Sequence, residues 1–277
     1  MSQNNNILKT EIVELKHGEK IYFASDFHLG IPDHASSLKR ERLLVAWLES
    51  IRKDAKEIYL MGDLFDFWFE YKTVVPKGFV RLFGKLAEIT DSGIEVHLFK
   101  GNHDIWAFDY FTEELNIKLH RKYQIKVFNG QHLFLAHGDG LGPGDKGYKI
   151  LKKLFESKFN QWLFRWTHPD IGTRLALYFS RRSRYANVLE EEGWESNGGR
   201  VVSDERLYHF SKEILLKNPS INYFIFGHQH KPCDEIINPG CRMIILGDWL
   251  HNFTYAVFDG ENMSLNRFNN GGVSTTL

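Results

Sequence analysis

The 277-residue chain is 43% hydrophobic, ample for one large domain, or one domain with an insertion. Lys plus Arg equals Asp plus Glu at 35 each, so no global charge argues for a nucleic-acid partner. Two cysteines, Cys233 and Cys241, exclude a disulfide framework and fit a reducing compartment. The first residues carry neither a basic n-region nor an apolar h-region, and no run of about 18 apolar residues occurs, so a cytoplasmic chain without a membrane span is expected.

Short apolar runs then alternate with longer helical patterns. "KIYFAS" (20–25) reads as a strand, and residues 35–53 repeat Leu38, Leu43, Leu44, Trp47, Leu48 and Ile51 at helical spacing. "EIYLMG" (57–62) is a second strand, residues 78–90 a second amphipathic helix, and "IEVHLF" (94–99) a third strand. This βαβαβ order predicts a sheet with helices on both faces. Asn129-Gly130 between two alternating runs predicts a hairpin. Residues 145–217 read as helical, and "NYFIFGHQH", "MIILGDW" and "TYAVFDG" return to strands. The expected architecture is an α/β sandwich, a single domain over 1–277 with a helical insertion (cap) at about 141–200.

Five predicted strands end in polar clusters. They carry Asp26 and His28; Asp63 and Asp66; Asn102, His103 and Asp104; His137 and Asp139; and His228 and His230. Any one of these fits a turn or a helix cap. A turn does not account for five recurrences at strand ends, where open α/β sheets bind ligands. The mixed Asp, Asn and His set suits divalent Mn, Fe or Zn better than Mg or Ca.

The order D-x-H, GD-xx-D, GNH-D, H-G-D, GH-x-H over residues 26–230 resembles the calcineurin-like metallophosphoesterase superfamily. The resemblance implies a β-sandwich flanked by helices and a site for two metal ions. Asp26, His28 and His230 would hold one ion, Asp63 would bridge, and Asn102, His137 and His228 would complete the other. His103 would act at the reacting phosphate, with Asp104 orienting its imidazole. Asp66 would support a ligand or loop, and Asp139 either His137 or a turn.

The insertion is rich in Leu, Phe and Trp and basic, with ten Lys and Arg from Lys146 to Arg184 against Asp145, Glu156 and Asp170. Such helices suit an anionic membrane surface or an amphiphilic ligand, or are a packed subdomain with solvated cations. With "GDLFDFWFE", "HGDGLGPGDKGYK", "GHQHKP" and "LGDW", the chain is similar to the UDP-2,3-diacylglucosamine pyrophosphohydrolases of lipid A biosynthesis. That implies a manganese-dependent hydrolase at the inner face of the cytoplasmic membrane, releasing UMP and a lipid monophosphate; the alternative is a metallophosphoesterase acting on a soluble nucleotide or other phosphodiester or pyrophosphate. Its partner would be a nucleotide-linked lipid, with peripheral membrane contact, no nucleic acid and no obligate protein partner. Asn102, His103, Tyr148, Ser183, Asn187 and His228 would contact substrate. Those enzymes typically carry Arg after the block-three Asn, where this chain has His103.

Overall fold

The structure, a computed structural model, describes residues 11–144, 146–178, 180, 206–269 and 274–276. In chain order the strands and helices are β1 (Glu11–Val13), β2 (Lys20–Ala24), α1 (His34–Ile51), β3 (Ala55–Leu60), α2 (Val80–Asp91), β4 (Glu95–Phe99), α3 (Tyr110–Glu113), β5 (Lys118–His120), β6 (Gln124–Phe128) and β7 (Gln131–Ala136). After β7 come α4 (Lys146–Glu156) and α5 (Lys158–Arg165). Helical residues 169–178 follow as α6, with Ser180 also helical. The chain closes with α7 (Arg206–Lys217), β8 (Ile221–Phe226), β9 (Cys233–Asn238), β10 (Cys241–Ile245), β11 (Thr254–Phe258), β12 (Met263–Phe268) and β13 (Ser274–Thr276).

The strands form two mixed sheets, ordered β1-β6-β7-β8-β10-β9 and β13-β12-β11-β2-β3-β4-β5. Ile21, Phe23, Tyr59, Leu133, Ile225, Ile244 and Ala256 fill the layer between them. Alternate residues of β2 and β3, Tyr22, Ala24, Ile58 and Leu60, point the other way, onto Trp47, Leu48, Leu82 and Leu86 of α1 and α2. The period-2 alternation of a strand thus serves two cores at once. Leu207 and Leu215 of α7 cover the outer face of the six-stranded sheet.

The expected sandwich flanked by helices is the observed one. The expectation of helices on both faces of the first sheet is corrected: one face carries helices, and the other packs on the second sheet. The edge strands β5 (KLH) and β9 (CDEIIN), with β12 (MSLNRF), interrupt their apolar residues with polar ones and do not read as apolar runs. Residues 145–217 do hold helices, but residues 181–205 lie outside the described residues. Among the described residues no helix is long and apolar enough to cross a membrane.

Arg40 ties α1 to the loop after β2. Its Nε donates to the Phe27 carbonyl and Nη2 to the His28 carbonyl, both at 2.7 Å, and Nη2 also donates to the Ile31 carbonyl. A planar guanidinium with five donors can satisfy three carbonyls of a tight loop; a lysine could not do so in one plane.

At the far edge, His120 of β5 shares a 2.8 Å hydrogen bond with the buried His97 of β4. Burial, and then His97, lowers the His120 pKa to about 3. An unfolded histidine takes a proton near pH 6.5, so the unfolded chain binds more protons between about pH 3 and 6.5, and stability rises with pH across that window. Replacing His120 with Gln, which can still donate to His97, should flatten the dependence. Urea unfolding of His120→Gln between about pH 5 and 6.5 is expected to show a shallower slope of stability against pH than wild type. Equal slopes would assign the loss on acidification to other groups.

Candidate metal centre

The five polar clusters converge at one end of the sandwich. The loops after β2 and β3 run side by side beyond the strands, with the Asp26 N–H donating to the Gly62 carbonyl and the His28 N–H to the Asp63 carbonyl, at 3.1 and 3.0 Å. The Gly227 N–H donates to the His137 carbonyl at 2.9 Å, and the Trp249 N–H to the Asp26 carbonyl at 3.1 Å. Asp26, His28, Asp63 and His228 all sit at left-handed φ, 57°, 43°, 52° and 66°. Non-glycine residues pay a steric cost there and persist only where surroundings fix them.

Two carboxylates share one design. Asp26 Oδ2 accepts the His228 N–H, and Asp63 Oδ1 accepts the His103 N–H, each at 2.9 Å. That leaves Asp26 Oδ1 buried with no hydrogen bond. It faces His230 Nε2 at 3.6 Å and His28 Nε2 at 3.7 Å, and these two nitrogens are only 3.1 Å apart. Asp63 Oδ2 lies 3.3 Å from His137 Nε2 and 3.9 Å from His28 Nε2, between the two halves of the site.

The second half shows what such a site requires. His137 Nδ1 is 2.8 Å from the Met61 carbonyl, which can only accept, so Nδ1 carries a proton. In a neutral ring Nε2 then offers a lone pair, yet it faces Asp63 Oδ2 and, at 3.3 Å, Asn102 Oδ1. Three acceptors converging on one point need a positive charge. Burial opposes charge on His137, but Asp63 outweighs it and raises the pKa to about 10. Burial likewise opposes charge on Asp63, yet His137 and His103 hold it well below the usual carboxylate range. A divalent cation would supply positive charge in place of the proton on Nε2, and metal binding would release that proton. The described donor groups within 4.8 Å of one another include Asp26–His28–His230 and Asp63–His137–His228. These residues fit a metal pair, and the set of oxygen and imidazole nitrogen suits transition ions.

The supporting residues differ in part from expectation. Asp104 does not reach the His103 imidazole: its Oδ1 accepts the Gly101 N–H at 2.6 Å and its Oδ2 the Leu64 N–H at 2.8 Å. It clamps the Asn102 loop to the Asp63 loop; burial, then Asp63, raises its pKa to about 6. The imidazole is oriented instead by the Asp66 carbonyl, 2.8 Å from His103 Nδ1. Asp66 Oδ1 stands 3.6 Å from His28 Nδ1. Asp139 accepts at Oδ2 from Tyr148 Oη and Lys152 Nζ, both at 2.6 Å, so it anchors α4. The Tyr148 ring lies 6.5 Å from that of His228, at the edge of the site. Ser183 and Asn187 lie outside the described residues.

Sequence reasoning missed Arg40, Asp248 and Ser180. Asp248 Oδ2 is 3.7 Å from His230 Nδ1, and Oδ1 accepts the amides of His251 and Asn252. The "LGDW" run held a signal for Asp248, a carboxylate after a strand. Nothing local marks Arg40 or Ser180.

A sandwich with this rim is a metal-dependent phosphoester hydrolase. The chain belongs to the calcineurin-like phosphoesterase family, whose sequence profile matches residues 19–232. It is 41% identical over 252 residues to the UDP-2,3-diacylglucosamine hydrolase of Porphyromonas gingivalis, covering 89% of this chain and 96% of that one. The UDP-2,3-diacylglucosamine hydrolase of Histophilus somni is 25% identical over 237 residues, covering 83% of this chain and 92% of its own. A dimetal phosphatase from Danio rerio aligns over 90% of this chain and 96% of its own, at 14% identity and a TM-score of 0.46.

Gly101 offers a direct test of the carboxylate arrangement. A Cβ there would collide with Asp63 Oδ1 and the Asp63 backbone nitrogen. Gly101→Ala is expected to leave a folded chain that binds divalent metal at least about tenfold more weakly, read by titration calorimetry, since ligands held off their geometry lose affinity on that scale. Wild-type affinity would show that the Asp63 position is not what the site depends on.

Proposed function

We propose that the chain is a UDP-2,3-diacylglucosamine pyrophosphohydrolase of lipid A biosynthesis, cleaving the pyrophosphate to UMP and 2,3-diacylglucosamine 1-phosphate. One observation carries the lipid part of this reading. The helices beside the metal-site rim, α4 and α5, bury no residue at all, although Ile150, Phe159, Trp162, Leu163 and Trp166 lie on them or just beyond. Apolar side chains left in water on a basic segment suit acyl chains and an anionic surface. A packed helical subdomain would have buried them. The insertion at about 141–200 is then a cap within a single domain spanning 1–277. Its place of work is the inner face of the cytoplasmic membrane.

Asp26, His28 and His230 would hold one cation, Asn102, His137 and His228 the other, and Asp63 both; manganese is the proposed ion, with Fe or Zn compatible with the donors. When bound, the pair supplies Lewis acidity to the phosphoryl oxygens and lowers the pKa of water. The chain does the rest. His103 keeps its Nδ1 proton on the Asp66 carbonyl, so Nε2 is the nitrogen left for the phosphate. With a proton on Nε2 as well, so that both ring nitrogens donate, His103 would stabilise charge growing on the phosphoryl oxygens, or give that Nε2 proton to the departing oxygen and return to the neutral ring with Nδ1–H kept. Asn102 and His228 sit where they would also touch the phosphate, and Tyr148, fixed by Asp139, borders it. Ser183 and Asn187 are proposed substrate contacts from the cap.

Metal-loaded protein incubated with UDP-diacylglucosamine in detergent is expected to release UMP. No turnover there, with rapid cleavage of small phosphodiesters, would reassign the substrate. His103→Ala should lower turnover by about 10²–10⁴ with metal content retained, the span of acid–base catalysis; lost metal would mark His103 as a ligand. Changing Trp162 and Trp166 together to Ala should raise KM for the lipid in detergent micelles and spare kcat, as loss of uniform binding does. An unchanged KM would remove these side chains from lipid binding.

A further inference from the structure

We propose that Ser180 is a positioning residue for His103, through which seating of the cap sets the orientation of the catalytic imidazole. The proposal rests on His103 acting at the substrate phosphate, as given above.

Ser180 is itself helical and lies two residues beyond Tyr178 of α6, and its side chain reaches the rim of the candidate metal site. Its Oγ donates to Asp66 Oδ2 at 2.8 Å and stands 3.4 Å from His103 Nδ1. The chemistry of these atoms fixes who donates. The Asp66 carbonyl, 2.8 Å from His103 Nδ1, can only accept, so Nδ1 bears a proton. The Ser180 proton points to a carboxylate, so what the Nδ1–H meets on that side is a hydroxyl oxygen lone pair. One N–H therefore lies between two acceptors, a main-chain carbonyl of the core and a hydroxyl of the cap. The Asp66 carboxylate adds a third contact, with Oδ1 3.8 Å from the same nitrogen. The His28 ring closes the remaining side, edge to face with His103 at 4.8 Å between centroids.

Ser180 and Asp66 are 114 residues apart in sequence, so this bracket exists only when the cap is seated. The seat itself is aromatic. Phe164 of α5 lies 4.6 Å from Phe69 and 4.7 Å from Trp106 between ring centroids, and Trp106 Nε1 donates to the Phe155 carbonyl at 2.8 Å. Phe69 and Trp106 lie on the same two loops as Asp66 and His103. Docking of the cap on those loops and delivery of the Ser180 hydroxyl are thus one event. Substrate entry beneath the cap would be reported to the imidazole through this hydroxyl.

The test compares Ser180→Ala, Ser180→Thr, His103→Ala and the double variant Ser180→Ala/His103→Ala as metal-loaded enzymes, with metal content and melting temperature measured on each. Ser180→Ala is expected to lower kcat about tenfold and change KM less than about twofold, the scale of one hydrogen bond to a charged group. Ser180→Thr, which keeps the hydroxyl, should restore most of the rate. In the His103→Ala background, Ser180→Ala should change kcat by less than about twofold, because the residue it acts through is gone. The same loss in that background, or a raised KM with unchanged kcat, would overturn the proposal and make Ser180 a substrate or packing contact. Should Ser180→Ala melt far below wild type, Ser180→Cys is read in the same cycle with the same expectation. If wild type is inactive on the UDP-linked lipid, that result counts against the substrate, and the cycle is read on bis-p-nitrophenyl phosphate.

Discussion

Asp26 and Asp63 each give one carboxylate oxygen to a backbone amide and turn the other into a cluster of imidazoles. The amides come from His228 and His103, residues on other strand ends, so each carboxylate also staples two loops. Removing such charges from water costs on the order of several kcal/mol each, and only nearby positive charge and good hydrogen bonds offset it. The folded rim is therefore a structure in need of cations. The left-handed backbone at Asp26, His28, Asp63 and His228 belongs to the same bargain, since those torsions aim four side chains inward at points where a strand would send alternate ones apart. Arg40 and Asp248 hold the two outer loops from behind.

The run "GDLFDFWFE" joins this rim to α5 and Ser180. Asp63 lies between the halves of the site, and Asp66 offers its carbonyl to His103 and its carboxylate to Ser180. Leu64, Phe65 and Trp68 are buried in the core against α1 and α2, while Phe67 and Phe69 face the cap's Phe164. Glu70 ends the run by accepting the amides of Phe108, Asp109 and Tyr110, which fixes the loop bearing His103 and Trp106. Eight consecutive residues thus carry a candidate metal-ligand carboxylate, a core anchor, a seat for Phe164 of α5 and a loop clamp. Neighbouring side chains in an extended or tightly turned segment point to different sides, and each direction here has a separate use.

Much of this was legible in the sequence, for a physical reason. Candidate metal ligands that follow buried strands announce themselves twice, by an apolar run and by the polar group that ends it. The loops after β2, β3, β4, β7 and β8 all did so. The sandwich was legible from the same runs. What could not be read were interactions whose partners are remote in sequence and ordinary in type. Arg40 reads as a solvated helix cation, and Ser180 as one serine in a basic helix. Asp104 was assigned to the His103 imidazole because it is adjacent, but adjacent residues on a turn diverge, and its carboxylate went to the amides of Gly101 and Leu64. The two faces of the seven-stranded sheet were also misassigned, because periodicity shows that both are buried and not by what.

The residue at position 103 brings these strands together. An arginine at this position would bring five donors and a fixed charge to a bound phosphate, with no proton to move at working pH. A histidine brings one reactive nitrogen, and its use depends on where the other nitrogen's proton is held. In this chain that proton is fixed by the Asp66 carbonyl, three residues from Asp63, whose own carboxylate accepts the His103 amide. The imidazole is therefore locked at both its backbone and its ring to the segment that carries the carboxylate between the two halves of the site. An arginine could tolerate a looser mounting, because charge acts over distance. A histidine that must meet an oxygen within hydrogen-bond reach could not. In the proposed role, the contact from Ser180 at 3.4 Å adds to the mounting that a histidine, unlike an arginine, depends on.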